Sequence, residues 1–181
     1  RALTLKAIRR NINLEDEGSL IDLAGSTKID LEEVDGVLRV FLDGEDVASL
    51  IRTPELTSKV KYIARVPGIR SEMVKLQRAI GSRHGAVLEG RDIGTVVFPD
   101  ADHKFYLDAD LEVRARRRHK ESIELGQKVT RDEIKKDVVV RDESDIKRTV
   151  GALRKAKDAV LIDTTDLTIG EVVDKILSYI K

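Results

Sequence analysis

Short apolar runs alternate with helix-forming segments over residues 86–181, and this alternation limits the possible folds more than any other feature. The runs at 86–89, 104–107 and 159–163 are bounded by Gly, Asp or Pro, which is typical of buried strands. Strands that alternate with helices form parallel sheets whose two faces are covered by the helices. The sequence therefore predicts an α/β fold with a parallel sheet and helices on both faces.

Three helix starts lie between or after these strands. Asp110 can cap the first helix, and capping boxes at Thr130 and Thr168 begin the other two. The helix that begins after Thr130 is predicted to reach past Arg148. Each predicted strand after the first is thus followed by a capped helix.

The first half of the chain has a different pattern. A helix is predicted over residues 2–12 and a short helical piece over 20–24. Residues 28–42 contain an Asp-Gly pair between two strand-like runs, which predicts an antiparallel hairpin. Thr53 followed by Pro begins another helix, and a further helix is predicted over 69–80.

Composition excludes several classes of protein. The 33 Lys and Arg residues balance 33 Asp and Glu residues, and 41% of the chain is hydrophobic, so a disordered charged tail is excluded. No cysteine is present, which rules out disulfides and thiol catalysis and fits a reducing compartment. No window is apolar enough to span a bilayer. We therefore expect a soluble, cytoplasmic protein that does not bind membranes.

The segment at 89–95 follows a predicted strand, where open α/β sheets bind their ligands. Its glycines allow a close approach of a ligand, and Arg91 and Asp92 offer a guanidinium and a hydrogen-bond acceptor. The alternative is a polar turn with a surface ion pair. The sequence pattern leaves both interpretations open.

Arg141, Asp145 and Arg148 are spaced i, i+4 and i+7, so they share one face of the predicted Thr130 helix. A separate apolar stripe consists of Val139, Ile146 and Val150. We expect this stripe to pack inward, which leaves the arginines on the open side of the helix. The alternative is a solvated helix face with ordinary i,i+4 and i,i+3 ion pairs.

Two other sets of residues are weaker candidates. Arg114, Arg116, Arg117 and Arg118 crowd one helix, but acids lie among them and no aromatic residues interleave to stack bases. Binding to nucleic acid is therefore not expected. The histidines His84, His103 and His119 have no metal-ligand spacing, so we expect surface residues and no metal site on this chain.

The run LEGRDIGTVVFPDA at 88–101 resembles bacterial cytidylate kinase, a nucleoside monophosphate kinase family. Further runs agree with it in the family's order, including those at 42–47, 51–53, 66–70, 105–109, 114–118, 141–148 and 162–165. The resemblance implies transfer of the γ-phosphoryl group from ATP, with Mg²⁺, to CMP or dCMP. It also implies small nucleotides as the partners and a monomer as the working form.

The resemblance implies an adenylate-kinase-like fold of the P-loop NTPase type. Residues 1–181 would form one domain, with a CMP-binding insert at 26–82 and a helical lid region at 113–150. The family's P-loop has the form Gly-x-x-x-x-Gly-Lys, and no such run occurs in this sequence. We therefore expect the first strand and the P-loop to lie on roughly 40 further N-terminal residues, and this chain alone to be inactive.

The resemblance also implies roles for individual residues. Arg91, Arg141 and Arg148 would be catalytic through their contacts with phosphate, and Asp92 would accept a hydrogen bond from the cytosine amino group. The implied substrate-binding residues are Arg1, Lys61, Arg70, Arg91, Asp92, Arg141, Asp145 and Arg148. The implied ATP-side residues are Arg114, Arg117 and Arg118. Lys61 departs from the small hydroxyl residue that is common in the family.

Another class of function competes with the kinase hypothesis. The chain could be a non-catalytic nucleotide-binding or interaction module that never had a P-loop. The sequence upstream of Arg1 distinguishes the two hypotheses. An in-frame Gly-x-x-x-x-Gly-Lys there would support the kinase, and a start codon at or beside Arg1 would support the module.

Overall fold

The computed structural model describes residues 1–83 and 85–180 of the chain. The prediction for His84 therefore lies outside the described residues. The chain divides between Leu88 and Glu89 into two compact units, Arg1–Leu88 and Glu89–Lys181. Each unit is described by itself below.

The first unit combines helices with a small antiparallel sheet. Its elements are α1 (Ala2–Arg9), α2 (Glu17–Gly25), β1 (Ile29–Val34), β2 (Val37–Leu42), β3 (Glu45–Asp46), a 3₁₀ turn (Leu50–Arg52), α3 (Pro54–Ala64) and α4 (Pro67–Gly81). The sheet has the strand order β1-β2-β3. The predicted hairpin is confirmed, with Val34 paired to Val37 at its tip.

Two Asp-Gly pairs turn the chain within this sheet. Asp35 and Gly36 have φ values of 54° and 74°, as a tight two-residue hairpin turn requires. Asp43 and Gly44 repeat this geometry, with φ values of 50° and 91°. The second turn leads into β3, a two-residue strand that the sequence analysis did not predict.

The helix ends of the first unit follow from local chemistry. The side chain of Thr53 accepts a hydrogen bond from the backbone of Leu56, which confirms the predicted start of α3. Helix α1 ends at Arg9, before the predicted end, and Asn11 has a φ of 51°, which a continuing helix excludes. The apolar core of this unit contains Leu3, Ala7, Leu20, Leu23, Leu42, Val47, Val66 and Ile69.

The second unit contains a parallel pair of strands. Its elements are a π-helical turn (Ile93–Val97), β4 (Phe105–Asp108), α5 (Leu111–Glu124), α6 (Arg131–Lys147), β5 (Val160–Asp163) and α7 (Ile169–Leu177). β4 and β5 run parallel, with Phe105 opposite Val160 and Asp108 opposite Asp163. A parallel sheet with helices confirms the mixed α/β class. Both predicted capping boxes, at Thr130 and Thr168, are present.

The predicted strand at 86–89 is wrong, because these residues have no strand conformation. Val87 is fully exposed, and within the described residues the parallel sheet consists of β4 and β5 alone. A strand needs a neighbour that satisfies its backbone groups, and the apolar run by itself does not supply one.

The prediction for the end of α6 also needs correction. The helix ends at Lys147, and Arg148 leaves the helical region with φ −60° and ψ 138°. The predicted inward stripe is wrong, since Ile146 is 57% and Val150 41% exposed. Helix α6 packs along α5, and its buried residues are Ile134 and Asp145. The spacing of the apolar residues predicted the wrong buried face of α6, because the charged residue Asp145 occupies a buried position.

Candidate functional site

A buried carboxylate organises the candidate site in the second unit. Asp145 lies on the last turn of α6 and is only 1% exposed. Nη2 of Arg148 is 2.6 Å from Oδ1 of Asp145, and Nε of Arg141 is 3.9 Å from Oδ2. The backbone N–H of Leu153 donates to the carbonyl of Asp145 at 2.8 Å, so the chain beyond the helix folds back over this turn.

A third arginine reaches the same carboxylate from a distant part of the sequence. Nε of Arg91 lies 3.0 Å from Oδ2 of Asp145. Oδ2 is buried and has no hydrogen bond of good geometry, so its contact with Arg91 is chiefly electrostatic. The structure thus brings together two sequence motifs, the segment at 89–95 with Arg91 and the set of Arg141, Asp145 and Arg148.

The cluster formed by Arg91, Arg141, Asp145 and Arg148 contains more positive than negative charge. Burial lowers the pKa of Arg141, the charge of Arg91 lowers it further, and the opposing effect of Asp145 does not offset them. Such a surplus of positive charge beside a desolvated surface favours an anion. The pairs of Arg141 and Arg148 with Asp145 have the i,i+4 and i,i+3 spacing of the alternative, a solvated helix face, but Asp145 itself is buried.

The loop that carries Arg91 contains an uncommon backbone feature. The N–H of Val97 donates to the carbonyl of Asp92 at 3.2 Å, and the N–H of Phe98 donates to the carbonyl of Ile93 at 2.7 Å. Both are i→i+5 hydrogen bonds of a π-helical turn, which occurs often at functional sites. Asp92 stands at the beginning of this turn, and Val97 within it is 1% exposed.

The three arginines that were predicted on the ATP side form contacts within the unit. Arg114 donates to the carbonyl of Ala109 at 2.9 Å and forms an ion pair with Asp142, which joins α5 to α6. Arg118 forms an exposed ion pair with Glu121 at 2.6 Å. These contacts leave the predicted ATP roles of Arg114 and Arg118 as predictions.

Arg117 is bound to the loop after β5. Its guanidinium donates to the hydroxyl of Thr164 at 3.1 Å, to the carbonyl of Thr164 at 2.5 Å and to the carbonyl of Leu167 at 3.1 Å. The hydroxyl of Thr164, which is 6% exposed, donates in turn to the carbonyl of Asp108 at 2.9 Å. Arg117 therefore ties α5 to the ends of both parallel strands, a role that the sequence analysis missed.

The remaining predicted residues lie in the first unit. Arg1 donates to the carbonyl of Ile51 and to the hydroxyl of Thr57, both at 2.8 Å. Lys61 is exposed on α3, with its ammonium 5.2 Å from the centre of the Tyr62 ring. Arg70 is half-buried on α4. Their roles in binding a nucleotide stay predictions.

Within residues 1–83 and 85–180, no three His, Asp or Glu residues are grouped in a way that could hold an ion. In the same part of the chain, none of the helices has the length and apolar character needed to cross a bilayer.

Comparisons with known proteins identify the family. The family model for cytidylate kinase matches residues 1–181. The cytidylate kinase of Geobacillus sp. (strain WCH70) is 44% identical over 180 residues, which are 99% of this chain and 80% of that protein. The cytidylate kinase of Caldanaerobacter subterraneus subsp. tengcongensis is 46% identical over 181 residues, which are 100% of this chain and 79% of that protein.

A fused relative is similar over the same length. The bifunctional pantoate ligase/cytidylate kinase of Synechococcus sp. (strain JA-3-3Ab) is 47% identical over 180 residues, which are 98% of this chain and 33% of that protein. The whole-length family match, together with relatives above 40% identity, places this chain in the cytidylate kinase family.

Proposed function

We propose that this chain binds CMP or dCMP as the acceptor of the γ-phosphoryl group of ATP, and that the cluster around Asp145 binds phosphate. The observation that carries the proposal is the convergence of Arg91, Arg141 and Arg148 on one buried carboxylate. The family membership of the chain supports the choice of nucleotide.

The chemistry of phosphoryl transfer requires such a cluster. Negative charge spreads over the equatorial oxygens of the transferred group, while the attacking and leaving oxygens stay in line with it. Arginines that surround this charge stabilise the transition state and need no proton transfer. Arg91, Arg141 and Arg148 would act in this way, as the catalytic residues.

Asp145 would orient these arginines and neutralise part of their mutual repulsion. Guanidinium groups form planar, bidentate contacts with phosphate only when they are correctly oriented. Asp145 would also approach the nucleotide sugar or base, and Asp92 would accept a hydrogen bond from the cytosine amino group. Both are short acceptors at positions that the family resemblance selects.

The family resemblance also assigns nucleotide-binding roles to residues of the first unit. Arg1 would contact the acceptor phosphate, and Arg70 would hold the nucleotide. Lys61 would take the place of the family's common hydroxyl residue on α3. Residues 26–82 would form the CMP-binding insert and residues 113–150 the lid region of one kinase domain.

The donor side is assigned less fully. Arg114, Arg117 and Arg118 would face ATP, and Mg²⁺ would accompany the nucleotide. The described side chains offer no cluster of ligands that fits this ion, so no residue is assigned to hold it. We further propose that the protein works as a monomer in the cytoplasm and acts on nucleotides rather than nucleic acid.

Calorimetric titration of the chain with CMP, dCMP, UMP and AMP tests the proposal. A coupled assay of ADP formation from ATP with each acceptor follows, on a form extended by the P-loop segment that the sequence analysis expects. We expect CMP and dCMP to bind most tightly and to be the preferred acceptors. Preference for AMP over CMP would contradict the proposal. Tight CMP binding without transfer in that extended form would instead support a non-catalytic nucleotide-binding module.

A pair of neighbouring variants tests the role of the cluster. Arg148→Gln removes a guanidinium from Asp145, and we expect CMP affinity to fall by roughly tenfold to a hundredfold. Lys147→Gln is the control, because Lys147 is also basic but is 74% exposed and pairs with Glu143. Equal effects of the two variants would assign the loss to general charge and contradict the proposed site.

A further inference from the structure

Lys104 lies immediately before β4 in an unusual environment for a lysine. Its side chain is only 8% exposed, although lysines are rarely buried without a partner. Its backbone carbonyl accepts a hydrogen bond from the N–H of Val160 at 2.9 Å, at the start of the parallel pairing. The position of Lys104 is therefore fixed by the sheet.

The ammonium group of Lys104 joins two segments that flank the sheet. It donates to the carbonyl of Pro99, just beyond the π-helical turn, and lies 2.6 Å from Oδ2 of Asp158 in the turn before β5. The hydrogen bond from Lys104 is the main reason that the pKa of Asp158 is lowered. Asp158 therefore stays charged at neutral pH.

The aliphatic part of Lys104 lies against the π-helical turn at Gly94. A Cβ atom placed on Gly94 would lie 3.5 Å from Cδ of Lys104 and 3.9 Å from Cβ of Ala156. The backbone of Gly94 thus packs on the lysine chain and on the turn before β5. The stem of Lys104 thus lies beside Gly94, and its ammonium donates to Pro99 just beyond the turn.

The turn needs such support from outside. π-Helical hydrogen bonding is uncommon outside longer helices, and a single turn is too short to be stable alone. Arg91 and Asp92 stand directly before this turn, and Nε of Arg91 is 3.0 Å from Asp145. Displacement of the turn would move both residues away from a bound nucleotide.

We propose that Lys104, held by Asp158, is a positioning residue that fixes the π-helical turn and thereby places Arg91 and Asp92 for CMP. This inference rests on the proposed role of Arg91 and Asp92 in binding the acceptor. Asp158 is 65% exposed, so its ion pair adds little to global stability. The effect of Lys104 therefore falls on binding, where displacements of about an ångström are costly.

Calorimetric CMP titration of four variants tests the inference. Lys104→Met keeps the stem and removes the charge, Asp158→Asn removes its exposed partner, and Lys104→Arg restores the charge. The matched control is Lys155→Met, since Lys155 donates to the carbonyl of Ala159, at 3.1 Å, and its charge acts on Asp158 less than that of Lys104 does. Thermal unfolding and amide exchange of residues 95–98 are measured on each variant.

We expect Lys104→Met to weaken CMP binding about tenfold and Asp158→Asn, whose partner is lost at an exposed position, about threefold. Both should speed amide exchange at residues 95–98. Lys104→Arg keeps the positive charge that pairs with Asp158, so it should bind within about threefold of the unmodified chain. Lys155→Met leaves the contacts of Lys104 in place and should bind within about twofold. Restored CMP binding in Lys104→Arg would show that the charge of Lys104 positions the turn. A purely structural role of the lysine would leave binding weak in both variants. Lys104→Met binding within twofold of the unmodified chain, or failure of Lys104→Arg to rescue it, would overturn the inference.

Arg91→Gln distinguishes this inference from the proposed function. If Arg91→Gln weakens CMP binding and Lys104→Met does not, the inference fails and the proposed site stands. If Arg91→Gln leaves CMP binding unchanged, the proposed role of the loop fails, and the inference that rests on it fails as well.

Discussion

Nε of Arg91 lies 3.0 Å from Oδ2 of Asp145, and this contact joins a loop at the start of the second unit to the last turn of α6. The carboxylate is buried, whereas the arginine side chain is 40% exposed. The exposed part of the Arg91 side chain can therefore contact a ligand while its Nε is held by Asp145. Asp145 is thus the centre of the candidate site.

Replacement of this carboxylate by an amide is the most direct test of the site. In Asp145→Asn the side chain keeps its shape, but a neutral amide then faces Arg91 and Arg148. We expect CMP affinity to fall at least tenfold and unfolding free energy to fall by about 2 kcal/mol, reduced from the full buried-pair value because the arginines are partly exposed. Calorimetry and urea unfolding measure the two effects.

Glu143→Gln on the same helix is the control for this change. Glu143 pairs with Lys147, and both side chains are well exposed, at 60% and 74%. We expect its unfolding free energy to stay within about 0.5 kcal/mol of that of the unmodified chain. An Asp145→Asn protein that behaves like Glu143→Gln would show that the buried carboxylate does not organise the arginines.

The sequence predicted most elements of the fold because their signals are local. The turn at Asp35 and Gly36 and the capping boxes at Thr130 and Thr168 depend on neighbouring residues, and all are present. The strand at 86–89 failed because a strand depends on a partner that local sequence does not contain. The same limit applies to the hydrogen bonds of Arg117, which span distant residues.

The candidate site shows the same division between local and distant information. The spacing of Arg141, Asp145 and Arg148 predicted a shared helix face. Both arginines contact Asp145, but Arg148 does so from just beyond the end of α6. The burial of Asp145 was not predicted, because an apolar period is the usual sign of a buried helix face. The contact with Arg91 arises only when the loop and α6 fold together.

Arg117 provides a prediction that separates structural support from ATP binding. Arg117→Met removes three hydrogen bonds to Thr164 and Leu167, and we expect a loss of about 2 kcal/mol in unfolding free energy. Arg116→Met is the control, because Arg116 is exposed on the same helix. Urea unfolding compares them. Unchanged stability with weakened ATP binding would instead favour the ATP role implied by the family.

Gly68 provides a test of packing in the first unit. A Cβ atom there would lie 2.6 Å from Cδ1 of Ile21, which is closer than real contacts allow. Either the side chain of Ile21 shifts, or α4 and α2 move apart. We expect Gly68→Ala to lower the unfolding free energy by about 1–2 kcal/mol through this overpacking. Gly25→Ala is the control, since nothing lies within 4 Å and alanine favours a helix. A neutral Gly68→Ala would show that Ile21 moves aside freely.

The lowered pKa of Asp43 leads us to expect that the stability of the first unit depends on pH. Its carboxylate is 2.6 Å from the ammonium of Lys6, which is 7% exposed, and it also accepts a hydrogen bond from the N–H of Lys28. The bond from Lys6, followed by that from Lys28, lowers the pKa of Asp43 below its ordinary value of 3.8. Asp43→Asn removes the charge yet suits the positive φ at this turn.

The sign of the pH effect follows from the lowered pKa. The stabilisation is complete above the unfolded-state value of 3.8, and it disappears as the pH falls through the lower folded-state value. We expect the unmodified chain to exceed Asp43→Asn by about 1 kcal/mol at pH 7, with the gap closing below about pH 4. Urea unfolding from neutral to acidic pH measures it. Asp35→Asn controls for the turn, since Asp35 is exposed and has a φ of 54°. A gap that persists unchanged in acid would show that the charge of Asp43 is not its source.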